Sequence, residues 1–161
     1  MKTGNRSDTE IIEAGREVLR VESASVNALS ERLDESFARA VRMVLESRGT
    51  LAICGTGKSG TVARKLAGTL SSTGTPAVFL HPTDAAHGDV GVVGSGDVVV
   101  AISKSGEGED LLRILPVFRD MGARVIAITG SPRSTLAGEA DVVLDASVER
   151  EACPMDLVPT A

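Results

Sequence analysis

Apolar residues recur in steps of three and four through the first part of the chain, at Ile11, Ile12, Val18, Leu19, Val26, Leu29, Leu33, Phe37, Val41, Val44 and Leu45. That spacing keeps one face of a helix apolar and predicts helix from about Ser7 to Ser47. Asp34 is placed to cap a second helix, with Glu35 in its first turn, and Gly49 to end it. About forty residues of amphipathic helix are more than one small sheet needs for cover. They predict an N-terminal helical hairpin, residues 1–48, that packs on the domain and on another copy of the chain.

From Thr50 the period changes. Leu51–Cys54, Pro76–Leu80, Asp97–Ile102, Arg124–Ile128 and Asp141–Leu144 are near-continuous apolar runs, the mark of strands buried on both faces. Helix-length segments lie between most of them, at Lys58–Ser72, Asp110–Met121 and Ser134–Glu139. The stretch His81–Gly96 reads as a loop, with a turn at Gly94-Ser95-Gly96. The alternation predicts an α/β fold: a three-layer αβα sandwich on a five-stranded parallel, flavodoxin-like sheet, residues 49–161, as a single domain overall. After Ala146 periodicity is lost and no closing helix follows, so the chain reads as shortened at its C-terminus.

Composition narrows the possible functions. A net charge of −5 without a basic stripe argues against nucleic acid as a partner. Three Phe and no Trp or Tyr remove base-stacking platforms. The first ten residues are polar and the apolar runs are short, so neither a secretory signal nor a membrane span is expected. Two distant cysteines, Cys54 and Cys153, form neither a metal knuckle nor a disulfide framework. These features predict a soluble, cytoplasmic chain. Cys54 reads as buried and inert, Cys153 as structural. His81, His87 and Cys153 have no metal-ligand spacing.

Two loops carry the candidate chemistry. Gly55-Thr56-Gly57-Lys58-Ser59-Gly60 joins a predicted strand to a predicted helix, where free N–H groups and the helix dipole favour an anion. A dinucleotide site would want an acidic residue where His81-Pro82 stands, and a P-loop would want glycine at Ala52. A phosphate or sugar site with a lysine at its rim remains, beside a glycine turn that only packs the helix on the sheet. The second loop is Ser103-Lys104-Ser105-Gly106-Glu107-Gly108-Glu109-Asp110. Its hydroxyls, lysine and glycines suit phosphate oxygens; a helix cap at Ser105 would explain only part of it. Both loops leave the carboxyl ends of strands, and ligands of open parallel sheets sit there, where strand order reverses.

These loops, together with Ser72-Thr73-Gly74-Thr75-Pro76, His81-Pro82, Ala85-Ala86-His87-Gly88-Asp89 and Glu151-Ala152-Cys153-Pro154 followed by Leu157, Pro159 and Thr160, resemble the SIS (sugar isomerase) domain family in its arabinose 5-phosphate isomerase branch. The resemblance implies interconversion of D-arabinose 5-phosphate and D-ribulose 5-phosphate without metal or cofactor, in a homotetramer or dimer. It implies that Gly55, Thr56, Gly57 and Ser59 face Ser103, Lys104, Ser105 and Glu107 across the substrate. Lys58, His87, Asp110 and Glu151 fall on the family's active-site positions. From the sequence alone Glu151, in the charged run Glu149-Arg150-Glu151, reads as part of a solvated face, and His87 as a loop histidine bonded to backbone.

This sequence departs from the family at two points. Asp110 stands where glutamate is usual, with Glu109 beside it. The family continues past Thr160 with a Ser/Thr-rich stretch, a closing helix bearing a further histidine and, in many members, CBS domains. Three functions are therefore weighed: a sugar-phosphate aldose–ketose isomerase, a non-catalytic SIS module that binds a phosphorylated sugar as a regulatory ligand, and a flavodoxin-like mononucleotide binder.

Overall fold

A computed structural model describes residues 6–153. Residues 6–32 with 148–153 form one compact unit, and Leu33–Ser147 form the other.

The first unit is built on α1, Asp8–Ser30. Ser7 starts it with a capping box: the Glu10 N–H donates to Ser7 Oγ (3.3 Å), and the Ser7 N–H donates to the Glu10 carboxylate (2.7 Å). Along its exposed side Arg20 pairs with Glu13 (2.7 Å), and Arg150 bonds Glu17.

The second unit opens with α2, Glu35–Glu46, capped by Asp34, whose Oδ1 accepts the Ser36 N–H at 2.8 Å. Five strands follow: β1 (Leu51–Cys54), β2 (Ala77–Leu80), β3 (Val98–Ser103), β4 (Arg124–Thr129) and β5 (Val142–Asp145). All pair in parallel, in the order β2-β1-β3-β4-β5. The connecting helices are α3 (Gly57–Ser72), α4 (Pro82–Ala86), α5 (Glu109–Asp120) and α6 (Thr135–Glu139). The doubly wound sandwich expected from the alternation is therefore present.

Alternation along the strands sends successive residues to opposite faces. Leu51, Ile53, Val98, Val100 and Ile126 point to one face, where they meet Ala40 and Met43 of α2 and Ala63 and Ala67 of α3. Ala52, Cys54, Val99, Ala101, Val125 and Ala127 point to the other, where they meet Leu111, Ile114, Leu115 and Phe118 of α5. Helices thus cover both faces of the sheet with apolar side chains.

Two expectations are corrected. Gly49 does not end α2 in a left-handed turn. The helix stops at Glu46 and Ser47 is extended (φ −64°, ψ 131°). Gly49 is needed for space instead, because a Cβ there would stand 1.7 Å from Asp97 Oδ1. The stretch His81–Gly96 is also more than a loop. It forms α4 and a 3-10 turn at Asp89–Val92, started by Pro82 at the first helical position and by His81 Nδ1, which accepts the Thr83 N–H at 3.3 Å. In addition, α2 belongs with the sheet: Arg39 donates to the Asp141 carbonyl (2.9 Å) and Arg124 to that of Met43 (3.1 Å).

Candidate active site

The sheet order places its switch point between β1 and β3. From β1 the chain crosses outward to β2, and from β3 it crosses the other way to β4. The two strands pair along their length, Cys54 opposite Ala101, so their carboxyl ends lie side by side. The glycine loop after Cys54 and the serine loop after Ser103 therefore open at the same edge, at the position where open parallel sheets bind ligands.

The helices that begin there differ from the others. Ser7, Asp34, His81 and Ser134 cap α1, α2, α4 and α6 with their side chains. The N-caps of α3 and α5, Thr56 and Gly108, make no side-chain cap bond. These helices of 16 and 12 residues bring the positive ends of their dipoles to the switch point without a side-chain acceptor at the cap. That arrangement suits an anionic ligand at α3, whose first turn has no acidic residue, whereas the first turn of α5 carries Glu109 and Asp110. It also removes the reading of Ser105 as a helix cap, since Gly108 occupies that position.

In the glycine loop, Gly57 takes a left-handed conformation (φ 55°). Lys58 is exposed, and Thr56 and Ser59 are half-buried. Gly55 and Gly60 meet backbone to backbone, so this loop packs α3 closely against the end of β1. In the serine loop, Ser103 Oγ accepts the Gly106 N–H (3.1 Å) and Ser105 Oγ accepts the Glu107 N–H (3.2 Å). A hydroxyl whose oxygen accepts a backbone N–H keeps its own proton to donate, for example to a phosphate oxygen. Lys104 is exposed, and its carbonyl accepts the Gly130 N–H at 3.0 Å.

The remaining candidates divide between the units. His87 is exposed at the C-cap of α4, after β2, on the same edge of the sheet. Asp110 lies in the first turn of α5, half-exposed, with Arg113 on its own helix at 3.7 Å. Glu151 belongs to the other unit, is buried, and is engaged. Pro154, Leu157, Pro159 and Thr160 lie outside the described residues. Glu107 has its own partner: Oε1 accepts the Thr135 N–H at 2.8 Å, and that bond holds its carboxyl below the usual range. Burial alone pushes the Cys54 thiol up to about 12, in keeping with an inert role. Among the described residues no three His, Cys, Asp or Glu side chains stand together as a metal-ligand set, and no helix is long and apolar enough to cross a membrane.

Residues 44–160 match the SIS domain. The chain belongs to the SIS domain family. The arabinose 5-phosphate isomerase GutQ of Escherichia coli (strain K12) is 46% identical to it over 151 residues, which are 94% of this chain and 47% of that protein. The arabinose 5-phosphate isomerase KdsD of Pseudomonas aeruginosa is 41% identical over 152 residues, with the same shares. This SIS chain thus spans about half the length of the curated relatives it matches. Among solved structures, E. coli CFT073 c3406 in complex with arabinose 5-phosphate superimposes with a TM-score of 0.91 at 37% identity, covering 96% of this chain and 82% of that one.

The sequence did not reveal Asp97. It is buried, its Oδ1 accepts the Thr50 N–H (3.0 Å) and its Oδ2 the Gly94 N–H (2.7 Å). It ties the entry of β1 to that of β3, at the edge of the sheet opposite the candidate site. Its only signal was a carboxylate immediately before an apolar run.

Proposed function

We propose that the chain is an aldose–ketose isomerase domain that interconverts D-arabinose 5-phosphate and D-ribulose 5-phosphate in the cytoplasm. The observation that carries this reading is the shared edge of the glycine and serine loops at the β1/β3 switch point. The likeness to relatives named for the reaction, and to a structure complexed with arabinose 5-phosphate, supports it.

In this reading the Ser103 and Ser105 hydroxyls, the backbone around Lys104, and Gly55, Thr56, Gly57 and Ser59 hold the phosphate and the near end of the sugar. Isomerisation takes a proton from C2 of the open-chain aldose and returns one to C1, while the O2 proton moves to O1 through an enediol. A carboxylate, Asp110, moves the carbon-bound proton. Lys58 stabilises the enediolate oxygen, and His87 assists ring opening, as imidazole titrates near neutral pH.

Incubation with D-arabinose 5-phosphate should yield D-ribulose 5-phosphate. Binding without turnover would overturn the enzymatic reading in favour of a regulatory sugar-phosphate module. One observation favours that second reading: Asp110 is a methylene shorter than glutamate and lies near Arg113 of its own helix.

We propose further that the chain self-associates as a homotetramer or dimer. Phe37, Val41, Val44, Leu45, Leu66 and Leu70 line an open apolar groove of about 240 Å³ on the α2–α3 layer, and Leu45 is 77% exposed. Apolar surface of this kind favours burial against a partner. Sedimentation should show a dimer or tetramer; a monomer at tens of micromolar would refute it.

A further inference from the structure

We propose that Glu107 is a positioning residue: its carboxylate clamps the serine loop onto the start of α6, and so presents Ser103 and Ser105 to the phosphate. The proposal rests on the reading of the serine loop as the phosphate site.

The loop has no regular structure of its own between Ser103 and Glu109. It is shaped by the segment that follows β4. The Lys104 carbonyl accepts the Gly130 N–H at 3.0 Å, and the Gly106 carbonyl accepts the Leu136 N–H at 3.0 Å. Gly106 is left-handed (φ 68°), and a Cβ there would stand 2.0 Å from Ser134 Oγ, so the loop lies directly on the α6 N-cap. Glu107 completes this seam through the Thr135 N–H at 2.8 Å. It is the seam's charged bond, and charge-assisted bonds are the stronger kind.

The same carboxylate gives α6 an anionic partner at its first turn, where a carboxylate is favourable. The far end of α6 is held as well, by Arg119 of α5, which pairs with the Glu139 carboxylate at 2.7 Å. The segment Glu107–Arg119 thus grips α6 at both ends, and α6 acts as a brace for the turn that carries the two serines. Both serine oxygens accept loop N–H groups, so a change in the turn changes where their protons point.

Thr135 offers a decisive variant. It is the first residue of α6, where proline is well tolerated, and Ser134 before it is extended (φ −73°, ψ 167°), as a residue before proline prefers. Thr135→Pro therefore deletes both the N–H and the hydroxyl that Glu107 holds, while Thr135→Ala deletes the hydroxyl alone. Dissociation constants for D-arabinose 5-phosphate are measured by calorimetry on the full chain, with melting curves to confirm folding. Glu107→Ala is expected to weaken binding about tenfold. Thr135→Pro should do the same, and the double variant no worse than either. Glu107→Gln, which retains a carbonyl acceptor, should recover most of the loss, and Thr135→Ala, which keeps the N–H bond, should lose less than Thr135→Pro.

Normal binding by Thr135→Pro beside weak binding by Glu107→Ala would overturn the clamp, because Glu107 would then act on the ligand itself. Unchanged binding by Glu107→Ala would overturn it too. Amide exchange at Thr135 tests the clamp without ligand: it must quicken in Glu107→Ala, and unchanged protection refutes the proposal. Ser103→Ala tests the underlying reading separately, for unchanged affinity there would remove the phosphate site whatever Glu107 does.

Discussion

Gly60 lies against the carbonyl of Gly55, so close that a Cβ on Gly60 would stand 2.7 Å from the Gly55 oxygen. The first turn of α3 and the end of β1 are thus in backbone contact, and neither surface has a side chain that can move aside. Gly60→Ala must shift the helix or the loop. We expect a loss of about 1–3 kcal/mol in urea unfolding, the usual cost of overpacking, with weaker binding of D-arabinose 5-phosphate. Parental stability would show that the approach is looser than this.

Lys58 is exposed on the first turn of α3 and takes no part in the core. Lys58→Ala should therefore leave the melting temperature nearly unchanged. Turnover of D-arabinose 5-phosphate should fall by roughly a hundredfold or more, as for loss of a group that stabilises developing negative charge. Retained turnover would remove Lys58 from the chemistry.

Asp110→Glu should raise turnover relative to the parent chain, because the longer side chain reaches further from the α5 first turn. Substrate affinity should change little. A fall in turnover would mean that Asp110 is already at its working distance.

Asp97 is buried and accepts two backbone N–H groups, from Thr50 and Gly94. Asp97→Ala should cost roughly 2–4 kcal/mol in urea unfolding, since both donors are left without their acceptor. Asp97 lies at the amino edge of the strands, so the folded fraction should bind D-arabinose 5-phosphate as the parent does. Weakened binding by fully folded protein would contradict the separation of the two edges.

Cys54 titrates far above its ordinary 9.0, at about 12, because burial disfavours the thiolate. The folded value is the raised one. Its contribution to stability is therefore fully present below pH 9.0 and is lost as pH rises toward 12. The loss approaches about 1.4 kcal/mol per pH unit in that window. Urea midpoints taken upward from pH 9 should fall less steeply in Cys54→Ala than in the parent; parallel slopes would refute the burial argument. Iodoacetamide should modify the native thiol far more slowly than the unfolded one.

The strands at Leu51–Cys54 and Arg124–Thr129, and the helices that follow Gly57 and Gly108, were readable because hydrophobic period is a local property. So were both candidate loops, since each lies within a few residues of chain. The loop expected at His81–Gly96 was misread: five- and four-residue helical turns are too short to show a period, although His81-Pro82 is a start signal. Gly49 was misread for the opposite reason. Its glycine signal was genuine, but the cause was Asp97, far along the chain at the entry of β3.

Taken alone, the sequence determined the order and kind of the elements, the apolar faces they bury and the identity of the groups in each loop, because these follow from side chains and their near neighbours. Only the folded chain decided which strands pair, and with them that the loops after Cys54 and Ser103 share an edge, that Glu107 meets Thr135 and that Asp97 joins two strand entries. Those contacts join residues that are far apart in the chain. They form only when the burial of both sheet faces offsets the entropy of closing the intervening loops, and no local pattern records that balance.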